Sequence, residues 1–281
     1  MTQDYQRFKL LEHAGWSASG VSRTYETWFT SLTSQSIGPL LDAVTAGRGV
    51  QQLDVAAGPG HLASRAAERG AVVAGVDVSP AMVEMARSLY PAVEFRDGDA
   101  EALPLADASF DAIVMNYGLL HLSRPELAIA EAFRVLRPGG RFAFTVWAPP
   151  DRARGFGLIL EAVQTKGNPA VALPPGPPFF RFADPAASRA AMEAAGFTDA
   201  GVVDLPQRWQ LPNADALLEV FEAGTVRTRA LLKGQTVAAM EAIRAAVHEA
   251  AQAFATLAGI GKSMPAGALV RGQALGRKAA R

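Results

Sequence analysis

Leu53-Asp54-Val55-Ala56-Ala57-Gly58-Pro59-Gly60-His61 is the stretch on which the fold turns. Leu53 and Val55 flank Asp54 at the end of a short run that starts at Gln51, and the run gives way to alanine, glycine and proline before a helix-favouring segment over 60–69. The local reading is strand, tight turn, helix. Such a turn needs residues without a bulky Cβ substituent, because its backbone takes up positive φ and comes close to whatever it holds. The helix behind it directs its free N–H groups into the same turn. Taken alone, the loop is also compatible with a glycine-rich turn that holds nothing.

Outward from this loop, short β-rich runs alternate with longer stretches rich in Ala, Leu, Glu and Arg, the pattern of βαβ units around a parallel sheet. The spacing predicts strands near 51–56, 72–77, 92–95, 111–115 and 141–147, with helices over 60–69, 80–89 and 125–136. Ser79 before Pro80 is a helix start signal, and Pro138-Gly139-Gly140 is a stop. Residues 149–181 contain Pro174-Pro175-Gly176-Pro177-Pro178 and read as a long loop beside the carboxyl edge of the sheet. Beyond it the sequence predicts a helix over 185–195, a strand over about 200–210, a helical block over 213–258 and a last β-like run over 268–276. The block falls between the last two strands, which predicts a lid (213–258) inserted into a sheet domain (46–281). The mostly helical residues 1–45 form a second piece of cap.

Composition narrows the function. A chain of 281 residues buries a full core, and 27 Lys plus Arg balance 27 Asp plus Glu, so no net field draws it to nucleic acid or an anionic membrane. A small-molecule substrate is expected. The absence of cysteine removes disulfides, thiolate metal sites and cysteine nucleophiles, and the four histidines show no zinc-ligand spacing, so no metal is expected. The N-terminus has no apolar signal region and no stretch approaches eighteen uncharged apolar residues, which predicts a cytoplasmic protein with no membrane insertion. Oligomeric state is not readable.

Asp77 ends the second strand, and a carboxylate there can accept hydrogen bonds from both ribose hydroxyls of an adenosine. Gly58-x-Gly60-x-x-Ala63 satisfies the dinucleotide fingerprint as well, so NAD and S-adenosylmethionine both remain open at this point. Gly98-Asp99-Ala100-Glu101-Ala102-Leu103-Pro104 follows the third strand, with Asp99 placed to accept from an adenine amino group and the Ala100 N–H placed to reach a ring nitrogen. Ser109-Phe110-Asp111-Ala112-Ile113-Val114 and Val135-Leu136-Arg137-Pro138-Gly139-Gly140 complete the series.

With these four ordered blocks the chain resembles a class I S-adenosylmethionine-dependent methyltransferase of the small-molecule group that includes ubiquinone/menaquinone-type C-methyltransferases. Leu53 to Gly60 is similar to that family's first motif, L-D-x-G-C-G-x-G, and Val76-Asp77-Val78-Ser79-Pro80-Ala81-Met82 to its second. The likeness covers about residues 48–147. It implies an α/β fold with a Rossmann-like seven-stranded, mostly parallel sheet, S-adenosyl-L-methionine as cofactor, and C- or O-methylation of a small apolar or aromatic acceptor by in-line displacement. It also implies cofactor contacts from Asp54, Ala56, Gly58, Gly60, Asp77, Val78, Met82, Asp99, Ala100 and Asn116. Ala56 stands where the family usually has its first glycine, so strain is expected if that position needs positive φ.

A sulfonium already carries an activated methyl group, so alignment and exclusion of water matter more than a protein nucleophile. His121 in Asn116-Tyr117-Gly118-Leu119-Leu120-His121 is a candidate base because imidazole titrates near neutrality, and it is equally open to a structural reading. Tyr25 is the second catalytic candidate, with Tyr117 and His13 behind it. His61 reads as a first-turn helix residue, and Met82 as either an adenosine contact or a core methionine. Trp16, Trp28, Phe29, Phe179 and Phe180 are candidates for an apolar acceptor pocket. Ala216, Leu217, Val220, Phe221 and Gly224 recur at helical spacing as a face that either closes over the acceptor or packs on the sheet. The alternatives are an NAD-dependent oxidoreductase, for which the chain lacks a Tyr-x-x-x-Lys pair, and a non-catalytic S-adenosylmethionine-binding protein.

Overall fold

The computed structural model describes residues 5–256, 259–260 and 264–274. Four short helices open it: α1 (Gln6–Ser17), α2 (Ser19–Trp28), α3 (Thr30–Thr33) and α4 (Ile37–Ala43). The alternating core follows as β1 (Gln51–Val55), α5 (His61–Glu68), β2 (Val72–Asp77), α6 (Pro80–Leu89), β3 (Glu94–Asp97), β4 (Phe110–Asn116), α7 (Pro125–Val135) and β5 (Leu136–Trp147). Then come α8 (Arg154–Lys166), α9 (Pro185–Ala194), β6 (Phe197–Gln207), α10 (Asp215–Gly224), α11 (Arg227–Lys233) and α12 (Val237–Gln252). Two two-residue strands, β7 (Ala255–Thr256) and β8 (Gly259–Ile260), pair with each other before β9 (Met264–Ala274).

The main sheet has the order β3-β2-β1-β4-β5-β9-β6. β1 to β5 are parallel, and β9 runs antiparallel between β5 and β6. The order reverses at β1, with β2 on one side and β4 on the other. In open α/β sheets the crevice above the carboxyl ends at such a switch point is where ligands bind. Leu53, Ile113, Phe142 and Phe144 are fully buried in the strands around that point, which holds the crevice floor rigid.

The predicted elements of the core lie within a few residues of those observed, with β3 shifted to 94–97 and β5 starting at Leu136. Ser79 caps α6 as expected, its hydroxyl accepting from the Met82 N–H at 3.2 Å. The long loop over 149–181 needs correction, because 154–166 form α8 and only residues 149–153 and 167–180 lack regular structure. Phe156, Ile159, Ala162 and Val163 recur at helical spacing and are buried, but the prolines and glycines around them hid that face. The helical block is three helices, with its end at 257–258 and the end of the last run at 275–276 outside the described residues. No helix among the described residues is long and apolar enough to cross a membrane.

The N-terminal helices are tied down over the crevice by polar contacts. The Ser79 hydroxyl donates to the Trp16 carbonyl at 2.9 Å, and His61 lies 2.7 Å from Glu26. Lys9 reaches Glu101 at 2.8 Å. α10 packs on α2, where Phe221 meets Phe29 edge-on, and α12 packs on α8.

Candidate functional site

The loop between β1 and α5 has the backbone its residues suggested. Gly58 and Gly60 have φ of +53° and +86°, the latter as N-cap of α5. A Cβ on Gly60 would stand 2.6 Å from Cζ of Phe95, so glycine is required there for space as well as for φ. Ala56 has φ of +55°, so the strain expected of alanine at this position is present.

Asp77 at the end of β2 fastens the loop from across the sheet. Its carboxylate accepts from the Gly58 N–H and the Ser79 N–H, each at 2.8 Å. Burial raises its carboxyl above the ordinary range, and those two amides act in the opposite direction.

Asp54 has no comparable support. It is 1% exposed, and neither carboxylate oxygen has a hydrogen-bond partner of good geometry among the described residues. Burial pushes its carboxyl up to about 8, against a weak opposing pull from the Ala63 amide. It borders a small cavity of about 50 Å³ shared with Tyr25, Ala56, Gly58 and Asn116.

A larger cavity of about 360 Å³ opens above the carboxyl ends of β1 to β4. Ala56, Gly58, Asp77, Val78, Met82, Asp99, Ala100 and Asn116 all line it, while Asp54 stands behind the loop and Gly60 turns the backbone without reaching this surface. Asp99 is engaged on both oxygens, by the Glu101 N–H at 2.9 Å and by Lys9 at 2.5 Å. Lys9, the Ser123 hydroxyl and the Arg124 amide overcome burial and hold Glu101 down at about 2. Asn116 is likewise committed to the scaffold: its side-chain oxygen accepts from Ser36 and Thr145 at 2.7 Å, and its amide donates to the Thr33 carbonyl.

α1 forms the opposite wall with Lys9, Glu12, His13 and Trp16. His121, in the short helical turn after β4, directs Nδ1 at Glu12 Oε2 at 2.9 Å, and its ring meets Trp16 edge-on. Tyr25 stacks on Phe29 with ring centres 5.3 Å apart, and burial pushes its phenol up to about 12. A phenol so raised stays protonated at neutral pH and is not available as a base. Tyr117 is also unsuited to be a base, since burial raises it further and its hydroxyl donates to Gln207 at 2.6 Å.

Trp16, Tyr25, Tyr117 and His121 also border a second chamber of about 30 Å³, so the two spaces share a waist. Phe29, Trp147, Phe156 and Phe179 form its walls, and residues 224–228 cover it. Trp16, Phe29 and Phe179 were predicted for this role. Trp28 and Phe180 do not line the chamber; the Trp28 carbonyl accepts from Trp209 instead. Of the apolar face on α10 only Gly224 reaches the chamber, and Phe221 packs against Phe29, Phe156 and Trp209 rather than the sheet.

Sequence reasoning missed Lys9, Glu12, Trp147 and Phe156. No local signal marks the first two, because a Lys and a Glu on a polar helix read as solvated residues until the helix is laid over the crevice. His61 sits at the start of α5 as expected, bonded to Tyr90 and Glu26.

Comparison with known proteins gives the same picture. Residues 53–144 match the family described as "Methyltransferase domain". The demethylmenaquinone methyltransferase of Renibacterium salmoninarum is 40% identical over 111 residues, 40% of this chain and 47% of that protein. A ubiquinone/menaquinone biosynthesis C-methyltransferase of Methylobacterium nodulans is 44% identical over 98 residues, 32% of this chain and 39% of that protein. The chain thus spans about half the length of the curated relatives it matches, or less. Among solved structures, the YcgJ protein of Bacillus subtilis superposes with a TM-score of 0.54 at 24% identity, covering 87% of this chain and 100% of that one. Phosphoethanolamine N-methyltransferase 2 of Haemonchus contortus, solved with S-adenosyl-L-methionine, gives 0.55 at 17% identity over 91% of this chain and 56% of that one. At these identities the structural likeness speaks for the fold. Residues 53–144 therefore match a methyltransferase domain, and the chain shares the fold of these solved structures.

Proposed function

We propose that this chain transfers the methyl group of S-adenosyl-L-methionine to a small apolar or aromatic acceptor. The observation that carries this reading is the pair of joined spaces. One cavity at the switch point is walled by Asp77, Met82, Asp99 and Ala100, and its waist opens into a chamber walled by aromatic rings. The residues fit the cofactor. Asp54 is a buried acid with no hydrogen-bond partner of good geometry among the described residues, suited to the ammonium of the methionine part, and the glycine cradle leaves its backbone bare. Asp77 would hold the ribose, and Ala100 with Asp99 the adenine. When bound, the cofactor supplies an activated methyl group, and the protein's task is alignment and dryness.

The domain division follows the same logic. Residues 1–45 act as a cap, and the segment 213–258 as a lid on the sheet domain 46–281. At about 30 Å³ the chamber holds about two waters, by the roughly 10–15 Å³ that each requires. A ring-sized acceptor therefore enters only when the cover of residues 224–228, or Phe179 on the proline-rich stretch, moves aside. Relatives named for demethylmenaquinone favour a ring-shaped acceptor, in keeping with this lining.

Calorimetric titration with S-adenosylhomocysteine and with NAD tests the cofactor assignment. Binding of the first and not the second is expected, and the reverse would restore the oxidoreductase reading. Release of S-adenosylhomocysteine from S-adenosylmethionine in the presence of ring acceptors then separates an enzyme from a binding protein.

A further inference from the structure

Glu12 is a carboxylate that folding alone does not account for. Its side chain is 5% exposed, Oε2 accepts from the Trp16 indole N–H at 3.0 Å and faces His121 Nδ1 at 2.9 Å, and Oε1 is buried without a hydrogen-bond partner among the described residues. Burying a carboxylate with one oxygen unbonded is costly, and a site that keeps such a group points to a role beyond packing. It comes from α1, outside the residues 53–144 that match the methyltransferase domain.

Resting on the proposed methyl transfer, we infer that Glu12 positions His121 as the base that takes the proton of a ring hydroxyl on the acceptor. A carboxylate only accepts hydrogen bonds, so His121 Nδ1 is the donor and carries the proton. The neutral ring then has its lone pair on Nε2, for which no partner exists among the described residues. His121 borders both the cofactor cavity and the aromatic chamber, which places the ring at the waist where acceptor and methyl group meet.

Titratable and charged groups around these two spaces include Glu12 and His13 on α1, Tyr25 on α2, Asp77 at the end of β2 and Arg227 on α11. Tyr25 stays protonated, Asp77 is held by the loop amides, and Arg227 is spent on the Pro174 carbonyl and the Phe8 ring. Lys9, Asp99 and Glu101 form an ion-paired set of their own elsewhere on the same cavity wall. Glu12 is thus the positioning residue and His121 the catalytic one.

The step balances without any further reactant. The acceptor O–H bond breaks and its proton goes to Nε2. The electron pair released forms the new bond to the methyl carbon, either from oxygen or, through the ring, from the adjacent carbon, whose own proton leaves afterwards. The carbon–sulfur bond breaks with its electrons remaining on sulfur. Imidazolium is stabilised by the Glu12 carboxylate until it loses the proton to water.

Nitrogen-15 NMR of the protein loaded with S-adenosylhomocysteine tests this, with 2-naphthol and naphthalene as probes and H121N to assign the signal. Calorimetry first establishes that S-adenosylhomocysteine binds; if it does not, the proposed function fails rather than this inference. In the unaltered protein, neutral His121 should carry its proton on Nδ1, and 2-naphthol but not naphthalene should shift the Nε2 resonance. In E12Q the ratio of Nδ1-protonated to Nε2-protonated neutral His121 should fall at least about threefold, because the amide oxygen is a weaker acceptor than the carboxylate. An Nε2-protonated ring in the unaltered protein, an unmoved tautomer ratio in E12Q, or no response to 2-naphthol would each overturn the inference. The tautomer and the naphthol response need only H121N for assignment, so they stand even if E12Q fails to fold.

Discussion

Replacing Asp54 with asparagine should make the protein more stable and its cofactor binding weaker. In the unfolded chain the carboxyl ionises near pH 4, whereas burial in the fold pushes it up to about 8. The unfolded state therefore releases its proton first. Stability is full below about pH 4, falls as pH rises toward 8 and is level above that. Four pH units at about 1.4 kcal/mol each set a ceiling of about 5–6 kcal/mol on what Asp54 costs in alkaline solution. The asparagine amide is no better partnered in the same place, which returns about 1–3 kcal/mol of that. Urea denaturation should thus show D54N ahead by about 3 kcal/mol at about pH 8.5, and level or behind at about pH 4.5. Binding gives a second readout. If the methionine ammonium pairs with Asp54, the carboxyl must ionise, so at about pH 6.5 calorimetry in buffers of different ionisation enthalpy should detect release of about one proton per S-adenosylmethionine. D54N should lose most of that release and bind at least about tenfold more weakly, or 1.4 kcal/mol. A stability difference that does not change with pH would refute the account of Asp54 as an uncompensated buried acid. Proton release unchanged in D54N would refute its pairing with the ammonium.

Other substitutions probe the remaining assignments. Asp77→Ala should weaken S-adenosylhomocysteine by about 1.5–3 kcal/mol by calorimetry, and Asp99→Ala by less, because the Ala100 amide contact survives; the opposite order would remove Asp77 from the ribose. Gly60→Ala should cost about 2–4 kcal/mol in urea denaturation, from positive φ together with the approach to Phe95, and a loss below about 1 kcal/mol would show that the turn can relax. Exchange of residues 213–258 for the matching segment of a relative with another acceptor should change acceptor preference while S-adenosylhomocysteine affinity stays within about tenfold, or 1.4 kcal/mol. A folded chimera that keeps its original acceptor would leave the lid without a role in selection.

Much of the cofactor half was legible because each signal there is local. Gly58 and Gly60 announce positive φ, Ser79 with Pro80 announces a helix start, and the short β-rich runs alternate with helix-favouring stretches. Asp77 and Asp99 end or follow such strands, so their place above the sheet follows from the elements alone. α8 was not legible, since Pro149, Pro150 and the prolines at 174–178 bracket a helix whose buried face shows only when there is something to bury it against.

The chain's own residues thus determine the sheet, the loop and the carboxylates above the strand ends, since strand, turn and cap preferences act over a few residues. Tertiary structure alone decides what faces that site. Glu12 lies 109 positions from His121, Lys9 lies 90 from Asp99, and residues 224–228 close a chamber floored by Tyr117 and Trp147. Such pairs carry no signature in sequence, because a charged side chain on a short helix looks solvated until packing removes the water around it. The same burial leaves Asp54 without a hydrogen-bond partner of good geometry among the described residues and raises Tyr25 out of range as a base, and neither effect exists before the chain is folded.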